Sequence, residues 1–182
     1  MITTLKVGTR SSRLALRQIE EIKCLMPFVS FEAIPIDTIG DRDKITPLSK
    51  MEGKDFFTRD IEEALLAGRI DVAVHSAKDL EEMMPEGLAI ACLTASISTQ
   101  ECLVSRNGKS LRDLPPLSSI GTSSRKRKEA ILRYRDDLVV KDIRGNIDER
   151  LAQLDRGDFD AIIVAHAALL RLGLEKRVSE FI

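Results

Sequence analysis

Tryptophan is absent from the sequence, tyrosine occurs once, and aromatic residues make up only 4% of the 182 positions. A core built from this chain must be mostly aliphatic. Cysteine is also scarce. Cys24, Cys92 and Cys102 are odd in number and far apart. That excludes a disulfide framework and a paired metal-ligand spacing, and it suits a reducing compartment. No metal is expected. No apolar run approaches the roughly 18 residues that span a bilayer, and "MITTLKVGTR" lacks the apolar centre of a signal peptide. A cytoplasmic protein with no membrane partner is expected. Net charge is missing too: 28 basic against 29 acidic residues leave −1, which argues against a general nucleic-acid binder. Neither G-x-x-x-x-G-K nor G-x-G-x-x-G occurs, so the chain has no phosphate loop and no dinucleotide fingerprint of those kinds.

What is present is an alternation of strand-like and helix-like segments. "TLKVGT" reads as a strand. "SRLALRQIEEIKCLM" follows with Ala15, Ile19, Ile22 and Met26 at helical spacing, Ser12 as N-cap and Pro27 as its stop. "FEAIPID" is a strand whose Pro35 suggests a sheet edge. The polar run Thr38–Lys54 reads as a long loop. "FFTRDIEEALLAG" is a helix, and "DVAVHS" and "GLAIACLTA" are strands. Further on, "ECLVSR", "SIGTS", "LVVKDIRG" and "FDAIIVA" are strands. "SRKRKEAILRYR", "NIDERLAQLDRG" and "HAALLRLG" are helices, the second capped by Asn146 with Glu149 three residues on and closed by Gly157. The pattern predicts an α/β fold with largely parallel sheets, in two lobes. The predicted division is a first lobe over 1–95, a crossing at 96–100 and a second lobe over 101–182.

Polar clusters fall just past several predicted strand ends, where open α/β sheets bind ligands. They are "GTRSS" (8–12), "HSAKD" (75–79), "GTSSRKR" (121–127) and "IRGNIDER" (143–150). Thr122, Ser123 and Ser124 offer hydroxyls beside a helix start, which favours anions. Arg10, Arg127, Arg144 and Arg150 offer forked donors suited to carboxylates. The implied ligand is small and carries several carboxylates or phosphates. Each cluster also has a plain structural reading. Spacing alone favours Ser76 and Asp79 as a cap and an acidic first-turn residue. "RKRK" (125–128) fits a solvated helix face, and Arg144 and Arg150 could pair with Asp142, Asp148 or Glu149. His75, His166 and the three cysteines fit structural roles.

Taken in order, "VGTRSSRLALRQ", "PLSKMEGKDFF", "DVAVHSAKDL", "IGTSSRKR", "IRGNIDERLAQLDRGDFDAIIVA" and "ALLRLGL" closely resemble the porphobilinogen deaminase (hydroxymethylbilane synthase) family. The resemblance runs from about Leu5 to Leu174. It implies two lobes like those of type II periplasmic binding proteins, with a cleft between them. It also implies a transferase of heme and tetrapyrrole biosynthesis that condenses four porphobilinogens, releasing ammonia, on a covalent dipyrromethane cofactor. Porphobilinogen carries an acetate and a propionate. Loss of ammonia leaves a cationic azafulvene, which a nearby carboxylate would stabilise.

By match to the family motifs, Asp79 takes that catalytic role, with Lys78 beside it. Arg10, Ser12, Ser76, Thr122, Ser124, Lys126, Arg127, Arg144, Arg150 and Arg171 are implied to hold cofactor or substrate carboxylates, and Lys50 and Lys54 belong to a lid over the cleft. Lys126 stands where the family has an arginine, keeping the charge but losing the fork. The resemblance covers the family's first two domains. It places the cofactor-anchoring cysteine in a third, and none of Cys24, Cys92 and Cys102 matches that motif. Small-molecule substrate without nucleic acid, and a monomer that self-associates only if the first sheet has an open edge, complete the expectation. The alternative is a non-catalytic two-lobe binding module for a pyrrole or polycarboxylate. Nucleic-acid binding through "SRKRKEAILRYR" is disfavoured by the few aromatics and neighbouring acids.

Overall fold

A computed structural model describes residues 4–43, 46, 55–81 and 83–182. The chain divides into two compact units; the first ends at Ala95 and the second holds Ser96–Ile182.

The first unit opens with β1 (Thr4–Arg10), α1 (Arg13–Leu25) and β2 (Ser30–Ile36). It continues with α2 (Ile39–Arg42), α3 (Arg59–Leu66) and β3 (Val72–Ala73). The sheet order is β2-β1-β3 and both pairings are parallel. Pro35 therefore sits on an edge strand, where its missing N–H removes no interior ladder bond. Val7, Gly8 and Thr9 of β1 are buried. Gly8 is dictated by close approach: a Cβ there would lie 2.2 Å from Ile70 Cδ1. α3 covers the sheet with Ile61 and Ala64, which cluster with Ile70 against Ile34, Ile36, Leu65 and Ala73. On α1 only Ala15 and Ile19 of the expected stripe are buried, while Met26 and Cys24 are exposed.

Two segments depart from the sequence reading. The polar run after Thr38 is not all loop: Thr38 caps the short α2 through a box with Asp41, a T-x-x-D spacing. "GLAIACLTA" is not a strand. It forms no regular element and has no ladder partner among the described residues, and Ile90 and Leu93 are 53% and 70% exposed. Apolar, β-branched composition favours extension, but a strand exists only where a neighbour supplies hydrogen bonds. Cys92 lies exposed in this segment, not in a core.

The second unit contains β4 (Glu101–Ser105), β5 (Ser119–Gly121), α4 (Arg125–Tyr134) and β6 (Val139–Lys141). α5 (Ile147–Arg156), β7 (Ala161–Ala165), α6 (His166–Leu172) and β8 (Glu180–Phe181) follow. The sheet order is β6-β5-β7-β4-β8. β6, β5 and β7 run parallel, and β4 is antiparallel to both its neighbours. Strand alternation sorts the core into two faces. Cys102, Val104, Ile162 and Val164 meet Leu151 and Leu154 of α5 and Leu169 of α6. Leu103, Ala161 and Ile163 meet Ile131 of α4 with Leu111, Leu114 and Leu138. Burial on both faces explains why β4 and β7 read as continuous apolar runs. Each fully buried Leu or Ile contributes about 1.5–3 kcal/mol.

Both units use one winding: β2-β1-β3 in the first, β6-β5-β7 in the second. In each the chain crosses back over its first parallel strand, placing switch points between β1 and β3 and between β5 and β7. Crevices past the carboxyl ends of such strands are where open α/β sheets take ligands.

Candidate functional site

At the β1/β3 switch point, Thr9 is fully buried and Arg10 half-buried. Arg10 is held from two sides. Its Nε donates to Asp41 at 3.1 and 3.0 Å and its Nη2 also pairs with Asp41. Its guanidinium lies 4.2 Å from the Phe57 ring centroid, a cation–π contact. Asp41 also accepts from the Thr38 hydroxyl at 2.7 Å. Burial alone would raise the Asp41 carboxyl, but the hydrogen bonds and charge of Arg10, with those from Thr38, outweigh it and lower the pKa. Arg10 is thus a fixed cation whose Nη1 edge faces away from its carboxylate.

Ser76 and Asp79 follow β3. Ala77–Asp79 form one 3-10 turn, closed by the Asp79 N–H donating to the Ser76 carbonyl at 2.9 Å. The Ser76 hydroxyl does not cap this turn. It accepts instead from Gln18 Nε2 of α1 at 2.9 Å. The turn leaves Lys78 exposed and Asp79 half-buried. His75 lies within electrostatic reach of both Asp79 and Arg10. Its burial lowers its pKa, the Asp79 charge opposes that and the Arg10 charge adds to it, so the imidazole is neutral at pH 7.

In the second unit, Thr122 follows β5 and is buried, and Ser124 caps α4 by accepting from the Arg127 N–H at 3.4 Å. Ser123 ties this loop to the end of β6: its hydroxyl donates to the Ile143 carbonyl at 2.6 Å and accepts from the Ile143 N–H at 3.1 Å. Asn146 and Glu149 complete the capping box of α5. Arg150 Nε donates to the Gly145 carbonyl at 2.7 Å, and Gln153 holds the Arg144 carbonyl at 2.9 Å. Two helix N-termini and these side chains therefore gather at the carboxyl edge of β6 and β5.

The hydroxyls sort by polarity. Ser12 accepts from Ala15 N at 3.2 Å, Ser76 from Gln18, Thr122 from Ser124 N at 3.3 Å and Ser124 from Arg127 N. None of these four donates to a described residue, so each hydroxyl proton is uncommitted within the described protein. Ser11 and Ser123, by contrast, give their protons to Asp37 and the Ile143 carbonyl.

The sequence-predicted site residues divide accordingly. Arg10, Ser12, Ser76, Lys78 and Asp79 lie at the strand ends of the first unit, and Thr122, Ser124, Lys126, Arg127, Arg144 and Arg150 at those of the second. Lys126 is exposed. Arg127 is committed to the protein: Nη2 forks onto both Glu101 oxygens at 2.8 and 2.7 Å and Nη1 reaches the Ile163 carbonyl at 3.2 Å, bracing α4 to β4 and β7. Arg171 stands on α6, about 9 Å along the helix from the end of β7 at 1.5 Å per residue. Lys50 and Lys54 lie outside the described residues. Sequence reading missed Gln18, Asp41, Phe57 and Glu101. Only Asp41 had a local signal, its spacing from Thr38.

A family model described as "Porphobilinogen deaminase, dipyromethane cofactor binding domain" matches residues 5–182. The chain belongs to the porphobilinogen deaminase family. It is 48% identical over 171 residues to the porphobilinogen deaminase of Geobacillus kaustophilus, covering 92% of this chain and 55% of that protein. It is 44% identical over 187 residues to that of Bacillus subtilis, covering 100% and 60%. The chain thus spans somewhat over half the length of the curated relatives it matches. In fold it is similar to an ancestral arginine-binding protein bound to arginine, with a TM-score of 0.50 at 19% identity over 98% of this chain and 77% of that one. The α/β expectation with two lobes of the type II periplasmic-binding-protein kind holds.

The family's dipyrromethane carries carboxylates and pyrrole N–H groups. It needs hydroxyl and cationic donors for the first and a carboxylate for the second. The β1/β3 end supplies that set in Ser12, Ser76, Arg10, Lys78 and Asp79. A thioether anchor also needs an accessible thiolate. Cys102 is excluded, being fully buried with its thiol pushed up to about 11, chiefly by burial and then by Glu101. No helix among the described residues is long and apolar enough to cross a membrane.

Proposed function

We propose that this chain carries the cofactor- and substrate-gripping part of a hydroxymethylbilane synthase, joining porphobilinogen units head to tail with release of ammonia. One observation carries the reading. The half-buried Asp79 ends a 3-10 turn that follows β3 and begins at Ser76, whose hydroxyl accepts from Gln18 and donates to no described residue. Ser12, Ser76 and Lys78 would grip ring carboxylates, with the Nη1 edge of Arg10 adding charge. Thr122, Ser124, Lys126, Arg144 and Arg150 would do the same at the second unit's strand ends, with Arg127 serving as the brace of α4. Bound, the dipyrromethane supplies the electron-rich pyrrole carbon to which the first substrate unit is joined.

Asp79 would stabilise the positive charge that develops on the substrate pyrrole as ammonia leaves, and hold the pyrrole N–H in place. A carboxylate fixed before the reaction needs no reorganisation when the cation forms. The Asp79→Asn variant should bind porphobilinogen but release ammonia about 100-fold more slowly. Wild-type ammonia release by that variant would remove Asp79 from the catalytic role. The second reading, a binding module, rests on the same carboxylate-gripping set and predicts calorimetric binding of porphobilinogen with no ammonia released even when the chain is joined to a domain that carries the anchoring cysteine.

A further inference from the structure

Of the four hydroxyls that keep their protons, three accept from a backbone N–H. Ser76 differs: its partner is the side chain of Gln18, 58 residues earlier in the chain. We infer that Gln18 is a positioning residue that sets the polarity of Ser76, making its hydroxyl a committed donor toward a ligand carboxylate. The inference rests on the reading of Ser76 as a carboxylate-gripping residue.

A serine hydroxyl has one proton and two lone pairs, and a carboxamide nitrogen can only donate. Gln18 Nε2 at 2.9 Å therefore occupies a lone pair of Ser76 Oγ and leaves its proton to point elsewhere. The 3-10 turn does not claim that proton, because it is closed by the Ser76 carbonyl. No described residue accepts it. An oxygen already accepting an N–H bond is also the stronger donor, since hydrogen bonds in series polarise one another.

Both partners are held in place. Gln18 is half-buried on α1, one residue before the buried Ile19, and that helix is fixed at its start by the Ser12 cap. Ser76 follows β3 directly. A glutamate at position 18 would invert the arrangement: its carboxylate would take the Ser76 proton and turn lone pairs toward the incoming anion. The amide is the side chain of this size that donates to Ser76 without adding a charge.

The test is a double-mutant cycle on porphobilinogen binding to the full chain, read by calorimetry, with thermal melts as a check of folding. Ser76→Ala should weaken binding about tenfold, the worth of one hydrogen bond to a charged group. Gln18→Met, similar in size and unable to donate, should weaken it several-fold. The Gln18→Met/Ser76→Ala double variant should bind no more weakly than Ser76→Ala alone. Gln18→Glu should bind more weakly than Gln18→Met while melting near the unsubstituted protein. Additive losses from Gln18→Met and Ser76→Ala would overturn the inference, because Gln18 would then act by another route. So would a Gln18→Met variant that binds normally while Ser76→Ala is impaired. Normal binding by Ser76→Ala would instead overturn the underlying reading of Ser76.

Discussion

Replacing Asp41 tests whether the Arg10 cation is held by design of the local structure. Asp41 accepts from Arg10 Nε at 3.1 and 3.0 Å, from Arg10 Nη2, and from the Thr38 hydroxyl at 2.7 Å and the Thr38 N–H at 3.3 Å. Asp41→Ala removes the capping box of α2, about 1 kcal/mol. It also strands the Arg10 guanidinium, whose side chain is only 23% exposed, for about a further 1–2 kcal/mol. The sum, about 2–3 kcal/mol, lowers the melting temperature of a chain this long by about 5–10 °C. Asp41→Asn keeps an acceptor for the cap and loses only the charge, so it should fall between the two.

The pH dependence has a definite sign. The folded Asp41 pKa lies below its unfolded value, so its stabilisation is fully present above about pH 3.9 and is lost as pH falls through the folded value. The gap between unsubstituted protein and Asp41→Asn should be constant near neutrality and close in acid. Melts of the three proteins from pH 7 to pH 3, followed by circular dichroism, measure it. An Asp41→Ala variant melting within about 1 °C of the unsubstituted protein, or a gap that does not narrow at all between about pH 4 and pH 3, would refute the reasoning.

Three further outcomes are expected. His75, held below the ordinary histidine value by burial, should be less protonated at pH 6.5 than a free imidazole, which is half protonated there. Its contribution to stability should fall as pH is taken from about 6.5 toward the lower folded value; a ring resonance titrating at or above the free value contradicts this. A thiol reagent should modify Cys24 and Cys92 readily and Cys102 only after unfolding, since Cys102 is buried and poorly ionised. Asn146→Ala should lower stability by about 1 kcal/mol through loss of the α5 capping box, measured by urea unfolding.

The sequence by itself determined most elements of the second unit. α5 was legible from end to end because Asn146, Glu149 and Gly157 are local signals, and Gly157 adopts the left-handed φ of 88° that ends the helix. β7 and the centre of β4 were legible because strand residues buried on both faces are apolar. The strand-end clusters were legible because they follow β1, β3, β5 and β6 directly, and their ordered motifs carried the family.

Tertiary structure decided what depends on partners distant in sequence. "GLAIACLTA" has a strand's composition but no described neighbour to pair with. Arg127 on α4 looked like a ligand fork, but Glu101 of β4, 26 residues earlier, fills it. Ser76 looked like a cap because Asp79 lies three residues on, yet a residue 58 positions away takes its lone pair. Spacing along the chain reports hydrogen bonds that close within a turn. The direction of a hydroxyl proton, or the commitment of a guanidinium, is set by whatever the fold brings beside it.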